Sequence, residues 1–155
     1  MPDRRDFVRT LALATAGCAL PGGGAQPPAR RVERVGLQLY TLRAPLAADV
    51  DRTLARVAEI GYAEVETAGF HGRTAAAFRR ALDAAGLRAP SAHVPLGEIR
   101  DRTAATLDAA TTLGAQYVVL PWLDAADRRT LDQYRAVADV LNRAGEAARR
   151  AGVRM

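Results

Sequence analysis

From Val35 onward the chain switches repeatedly between two hydrophobic rhythms. Short runs alternate apolar and polar residues, as in Val35-Gly-Leu-Gln-Leu-Tyr40 and Glu64-Val-Glu66, the period-two signature of a strand with two unlike faces. Between them lie alanine-rich stretches with apolar residues three or four apart, such as Val50, Leu54 and Val57, or Phe78, Leu82 and Ala85. That spacing builds one apolar face on a helix. The pattern predicts strands at 35–42, 62–68, 88–94 and 116–122. It predicts helices at about 49–60, from an N-cap at Thr74 to Gly86, at about 101–113, and from an N-cap at Thr130 to 151. Serine, threonine and aspartate side chains at such positions accept from the free amides of the first helical turn.

Gly61, Gly86, Gly114 and Gly152 each close a predicted helix, and the next strand follows directly. Glycine takes the left-handed conformation that ends a helix without a Cβ clash, so these four positions punctuate four βα units. Strands alternating with helices imply an α/β fold with a parallel sheet and right-handed crossovers. Val153-Arg-Met155 reads as the start of a fifth strand, which suggests a fragment of a longer fold. Two architectures suit this order. One is an open doubly wound sheet; the other is a (β/α)8 barrel, which needs about 250 residues and would be present here only as its first half. No glycine-rich phosphate loop follows the first strand, which disfavours a nucleotide-binding fold. Polar residues of one parity (Gln38 and Tyr40, Glu64 and Glu66, Ser91 and His93) oppose apolar residues of the other (Leu37, Leu39, Val65, Ala92, Val94). That split fits a barrel interior better than a sheet covered on both faces.

The first 31 residues follow a different logic. Paired Arg4 and Arg5, an apolar segment from Leu11 to Leu20 and a Pro/Gly/Ala stretch resemble a twin-arginine export signal. This predicts a signal and linker at 1–31, a barrel domain at 32–155 and a periplasmic protein. Cleavage after Ala25 fits, and Cys18 after Thr-Ala-Gly allows lipid anchoring. The apolar segment is too short to span a bilayer as a mature helix. The chain has 155 residues, a net charge of +5 and 22 basic residues, all of them arginine. Five of those arginines lie in 1–31 against Asp3 and Asp6, and the remaining charges are interspersed, so nothing forms a nucleic-acid-binding patch. The single cysteine leaves no internal disulfide.

In parallel α/β folds, ligands meet the C-terminal ends of the strands. Those positions hold Tyr40, Thr41 and Arg43, then Glu66 and His71, then His93, then Pro121 and Trp122. Glu66 reads either as a carboxylate tied to an arginine or loop amides, or as a proton-transfer group. His93 reads as a hydrogen-bonded core residue or as a substrate contact, and His71 as a loop residue. Tyr40 and Trp122 are either core aromatics or platforms for the apolar face of a sugar. Arg43 is either a solvated charge or a clamp for an anionic group.

The segments VGLQLYTLR, GYAEVETAGFHG, AGLRAPSAHVPL, LGAQYVVLPWL and AGEAARRAGVRM resemble the sugar phosphate isomerase/epimerase family, the xylose isomerase-like TIM barrels, in order and spacing from about Val35 to Met155. The resemblance implies a (β/α)8 barrel and a small-molecule sugar or polyol substrate. It also implies a divalent metal (Mn, Mg or Zn) that polarises the substrate while carboxylates move protons. The family's metal ligands come mainly from strands five to eight, so the metal is expected only in a complete barrel and none of its ligands in this chain. By position, Glu66 and His93 would serve catalysis, and Tyr40, Arg43 and Trp122 would bind substrate. A non-catalytic periplasmic carbohydrate-binding or interaction protein on the same scaffold is the alternative.

Overall fold

A computed structural model describes residues 34–155; the export signal expected at 1–31 lies outside the described residues. Four parallel strands form one sheet: β1 (Gly36–Gln38), β2 (Glu64–Ala68), β3 (Arg88–His93) and β4 (Tyr117–Val119). Their spatial order is their chain order, β1-β2-β3-β4. A doubly wound sheet reverses its winding at a switch point, and this one does not. The winding is that of a barrel wall, laid down one βα unit after another. A parallel bridge between Tyr117 and Arg154 places the start of a fifth strand beside β4.

The helices are α1 (Arg43–Ala48), α2 (Val50–Ile60), α3 (Ala75–Ala84), α4 (Leu96–Asp101), α5 (Thr103–Leu113) and α6 (Leu131–Arg150). Three of them, α2, α3 and α6, start at a side-chain cap, two at the predicted threonines. Thr74 accepts from the Ala77 amide at 3.2 Å, and Thr130 forms a reciprocal capping box with Gln133. Asp49 caps α2 by accepting from the Arg52 amide. All four predicted stop glycines have positive φ, from 71° at Gly86 to 108° at Gly61.

The core lies between the outer face of the sheet and the helices. Val65, Ala92 and Val118 pack there against Leu54, Phe78, Leu82, Leu107 and Ala148, with Phe78 and Leu82 fully buried. The inner face is half-buried and polar. At its lower end, Glu64 is paired with Arg34 and Arg88.

Two local departures from the predicted pattern shape the site. β1 stops at Gln38, and residues 39–42 turn into a 3₁₀ helix instead of continuing the strand. Leu39 is drawn into the core while Tyr40 is left exposed. In β3 the register slips: Glu64 pairs with Arg88, but Glu66 pairs with Ser91. Three steps along β3 therefore match two along β2, a bulge at Ala89–Pro90. Proline has no amide proton to give to the ladder, which suits it to this irregular position. Ala89, within the bulge, and Ala92, three residues on, are both buried.

The helix-stopping glycines yield a graded expectation. An added Cβ at Gly61 meets nothing within 4 Å, whereas at Gly114 it would lie 2.6 Å from the Arg79 guanidinium. Arg79 donates to the Leu113 carbonyl at 2.8 Å, capping the end of α5. Gly61→Ala should cost about 1–2 kcal/mol for its left-handed backbone, and Gly114→Ala measurably more because the cap is displaced as well. Urea unfolding of the two variants checks this ordering, and equal costs would contradict it.

Candidate functional site

Successive strands bring Gln38, Glu66, Ser91 and His93 to one place on the inner face. Gln38 and Glu66 sit opposite each other in the β1–β2 register, and Glu66 opposite Ser91 in the β2–β3 register. The bulge makes this possible. Without its extra residue, Pro90 would face Glu66, and Ser91 and His93 would turn outward to the helices.

The four side chains form a continuous network. His93 Nε2 lies 2.6 Å from Glu66 Oε1, Ser91 Oγ donates to Glu66 Oε2 at 2.7 Å, and Gln38 Nε2 lies 2.9 Å from His93 Nδ1. Of the two structural readings that the sequence offered for Glu66, neither holds: its partners are His93 and Ser91. The arginine-tied acid is Glu64. The side chains of His93 and Glu66 are 20% and 25% exposed, so the network is sheltered but reachable.

Two cavities adjoin the network. Gln38 and His93 line the larger one, of about 1030 Å³, together with Tyr40, Trp122, Val94 and Thr67. Glu66 and Ser91 line a smaller one of about 450 Å³ beside β4, with Val119 and Leu120. The aromatic candidates are not core residues: Tyr40 is 58% exposed and Trp122 62%. Arginines stack on both rings, Arg43 at 4.7 Å from the Tyr40 centroid and Arg128 at 5.2 Å from that of Trp122. Arg43 also donates to the Tyr40 carbonyl. It lines neither cavity.

His71 stands apart from the network. It occupies the loop after β2 with a φ of 50°, and its ring lies 6.4 Å from that of Phe78. The same loop is anchored by Arg73, which makes two hydrogen bonds to Asp51 at the start of α2. Arg73 holds the Asp51 carboxyl below its ordinary pKa. Any stability this exposed pair adds is therefore present above the ordinary carboxyl pKa and lost as pH falls through the lowered one.

Of the residues that the sequence singles out, Tyr40, His93 and Trp122 line the larger cavity, Glu66 the smaller one, and Arg43 neither. The sequence assigns no role to Gln38 or Ser91. Shared parity was the one available signal for both, because each lies on the polar side of its strand. Among the described residues, no three His, Cys, Asp or Glu side chains converge to hold a metal ion. Glu66 and His93 alone offer too few donors for a divalent ion. No helix among the described residues is long and apolar enough to cross a membrane.

Solved structures share this architecture. A sugar phosphate isomerase/epimerase from Parabacteroides distasonis superposes with a TM-score of 0.62 at 24% identity, over 83% of this chain and 51% of that one. A second sugar phosphate isomerase/epimerase structure from the same organism gives 0.63 at 25% identity, over 77% and 51%. This chain thus spans about half the length of either neighbour. No protein-family model and no curated protein matches it. The fold is of the (β/α)8 TIM-barrel type, with four βα units and the start of a fifth strand.

Ser91→Ala removes one of the two donors to Glu66 and leaves the other. It should cost about 1 kcal/mol in urea unfolding without changing the helix content seen by circular dichroism. A cost indistinguishable from zero would mean that the Ser91–Glu66 bond is not maintained in solution.

Proposed function

We propose that this chain forms the substrate-orienting wall of a sugar or polyol isomerase/epimerase site. One observation carries the reading: at the C-terminal ends of parallel strands, an inward-facing carboxylate is fixed in orientation by two donors from the neighbouring strand. A carboxylate oxygen accepts more than one hydrogen bond, so Glu66 keeps lone pairs for substrate hydroxyls or for a proton taken from carbon. His93 and Ser91 fix its plane, and that geometric constraint is what general acid–base work needs. Tyr40 and Trp122, exposed at the rim, supply flat apolar surfaces for the C–H face of a sugar ring. The likeness to two sugar phosphate isomerase/epimerase structures supports the same reading. A metal, if the complete barrel uses one, would be held by residues outside this chain. Export to the periplasm, suggested by 1–31, belongs to the proposal as well.

A second reading is a carbohydrate-binding protein without turnover. The exposed rim aromatics favour it, because stacking alone gives binding without chemistry.

Trp122 is the sole tryptophan, so its emission reports occupancy of the rim directly. Titration with a panel of aldoses, ketoses and their phosphates should change that emission for at least one member. Glu66→Gln should weaken that binding by about 10-fold or more, the loss expected when a hydrogen bond to a charged group is removed. Transfer of solvent deuterium to a carbon-bound position of the bound sugar would mark an isomerase or epimerase. Saturable binding without such transfer, unaffected by a chelator, would mark the binding protein. Silence from the whole panel would sink both readings.

A further inference from the structure

The hydrogen bonds around His93 determine where its proton sits. Nε2 lies 2.6 Å from a carboxylate oxygen of Glu66. So short a nitrogen–carboxylate contact requires a hydrogen between the two atoms, so Nε2 is protonated. Nδ1 faces the amide nitrogen of Gln38 at 2.9 Å. With the Gln38 amide in this orientation its NH₂ donates, and Nδ1 presents a lone pair to it. The two contacts together describe a neutral imidazole with its proton on Nε2. An imidazolium would carry a hydrogen on each nitrogen and would need the Gln38 carbonyl oxygen, not its NH₂, at Nδ1.

We infer that Gln38 is a positioning residue that holds His93 as the neutral Nε2–H tautomer and so directs its proton at Glu66. The fold pre-sets this arrangement. Gln38 is the last residue of β1, immediately before the chain turns into its 3₁₀ helix, and its backbone is registered opposite Glu66. The ring is thereby gripped from both sides, by β1 through Gln38 and by β2 through Glu66. Glu66 is the charged group in contact with the ring, at 2.6 Å, while Glu98 and Arg102, which line the larger cavity, pair with each other at 3.4 Å.

This assignment has a chemical consequence. Both ring nitrogens are committed within the protein, so His93 does not itself take a substrate proton in this state. It holds the Glu66 carboxylate and leaves that group as the acceptor. Gln38 itself lines the larger cavity, so its amide is within reach of a hydroxyl bound there. The meaning of the lock for catalysis rests on the function proposed above, but its existence does not.

Nitrogen-15 NMR of the imidazoles is the direct test, because the chain contains only two histidines, His71 and His93. A His71→Asn variant assigns the remaining signals to His93. At neutral pH the wild-type ring should show a protonated Nε2 and an unprotonated, hydrogen-bonded Nδ1. Gln38→Leu should shift the Nδ1 resonance toward that of a free imine nitrogen while Nε2 stays protonated. Gln38→Glu, whose carboxylate only accepts, should place a proton on Nδ1 and give the imidazolium signature. A wild-type ring that is already doubly protonated, or protonated on Nδ1 alone, overturns the inference. So does a folded Gln38→Glu variant with wild-type nitrogen signals. Were either variant to fail to fold, the wild-type spectrum alone would still decide. The predicted tautomer without any sugar response would overturn the proposed function and leave this assignment standing.

Discussion

Side chains on a strand alternate between two faces, so neighbouring strands share a face only while their register holds. Here the register between β2 and β3 slips by one residue at Ala89–Pro90, and the site depends on that slip. Below the bulge, Arg88 faces inward and pairs with Glu64. Above it, Ser91 and His93 face inward and bind Glu66. A regular strand could not place Arg88 and His93 on the same face, because five steps reverse the parity. The bulge lets one strand serve both the arginine-bound lower end of the inner face and the polar network at its upper end.

The network is also a solution to an energetic problem. A half-buried carboxylate and imidazole are costly when unpaired, whereas a connected set in which every member has a partner is tolerated. Gln38, His93, Glu66 and Ser91 satisfy one another across three strands, and the chain of donors converges on Glu66. Thr67, the neighbour of Glu66, makes the contrast. It points to the outer face, is 1% exposed, and its hydroxyl finds no partner.

Much of this was legible in the sequence, for physical reasons. The stop glycines and the Thr74 and Thr130 caps are local backbone requirements, and local requirements write themselves into single residues. The inward parity of Gln38, Glu66, Ser91 and His93 could be read because burial of the opposite face demands apolar residues such as Leu37, Val65 and Ala92. The length of β1 could not be read. Leu39 and Tyr40 continue the alternation, and only packing of Leu39 into the core shows that the chain has already turned. The bulge was hidden as well, because Ala89 and Pro90 carry no signal until β2 is laid beside them. Gln38 was overlooked as a site residue since its importance lies entirely in its partner, a histidine 55 residues away.

Glu66 and His93, brought into contact by the register of β2 and β3, should behave as one energetic unit. A double-mutant cycle with Glu66→Gln, His93→Leu and the combined variant, read by urea unfolding, tests it most directly. Contact across a charged hydrogen bond predicts a coupling of about 1 kcal/mol or more. Stabilities that add to within about 0.3–0.5 kcal/mol would show the two residues to be independent and would contradict the account.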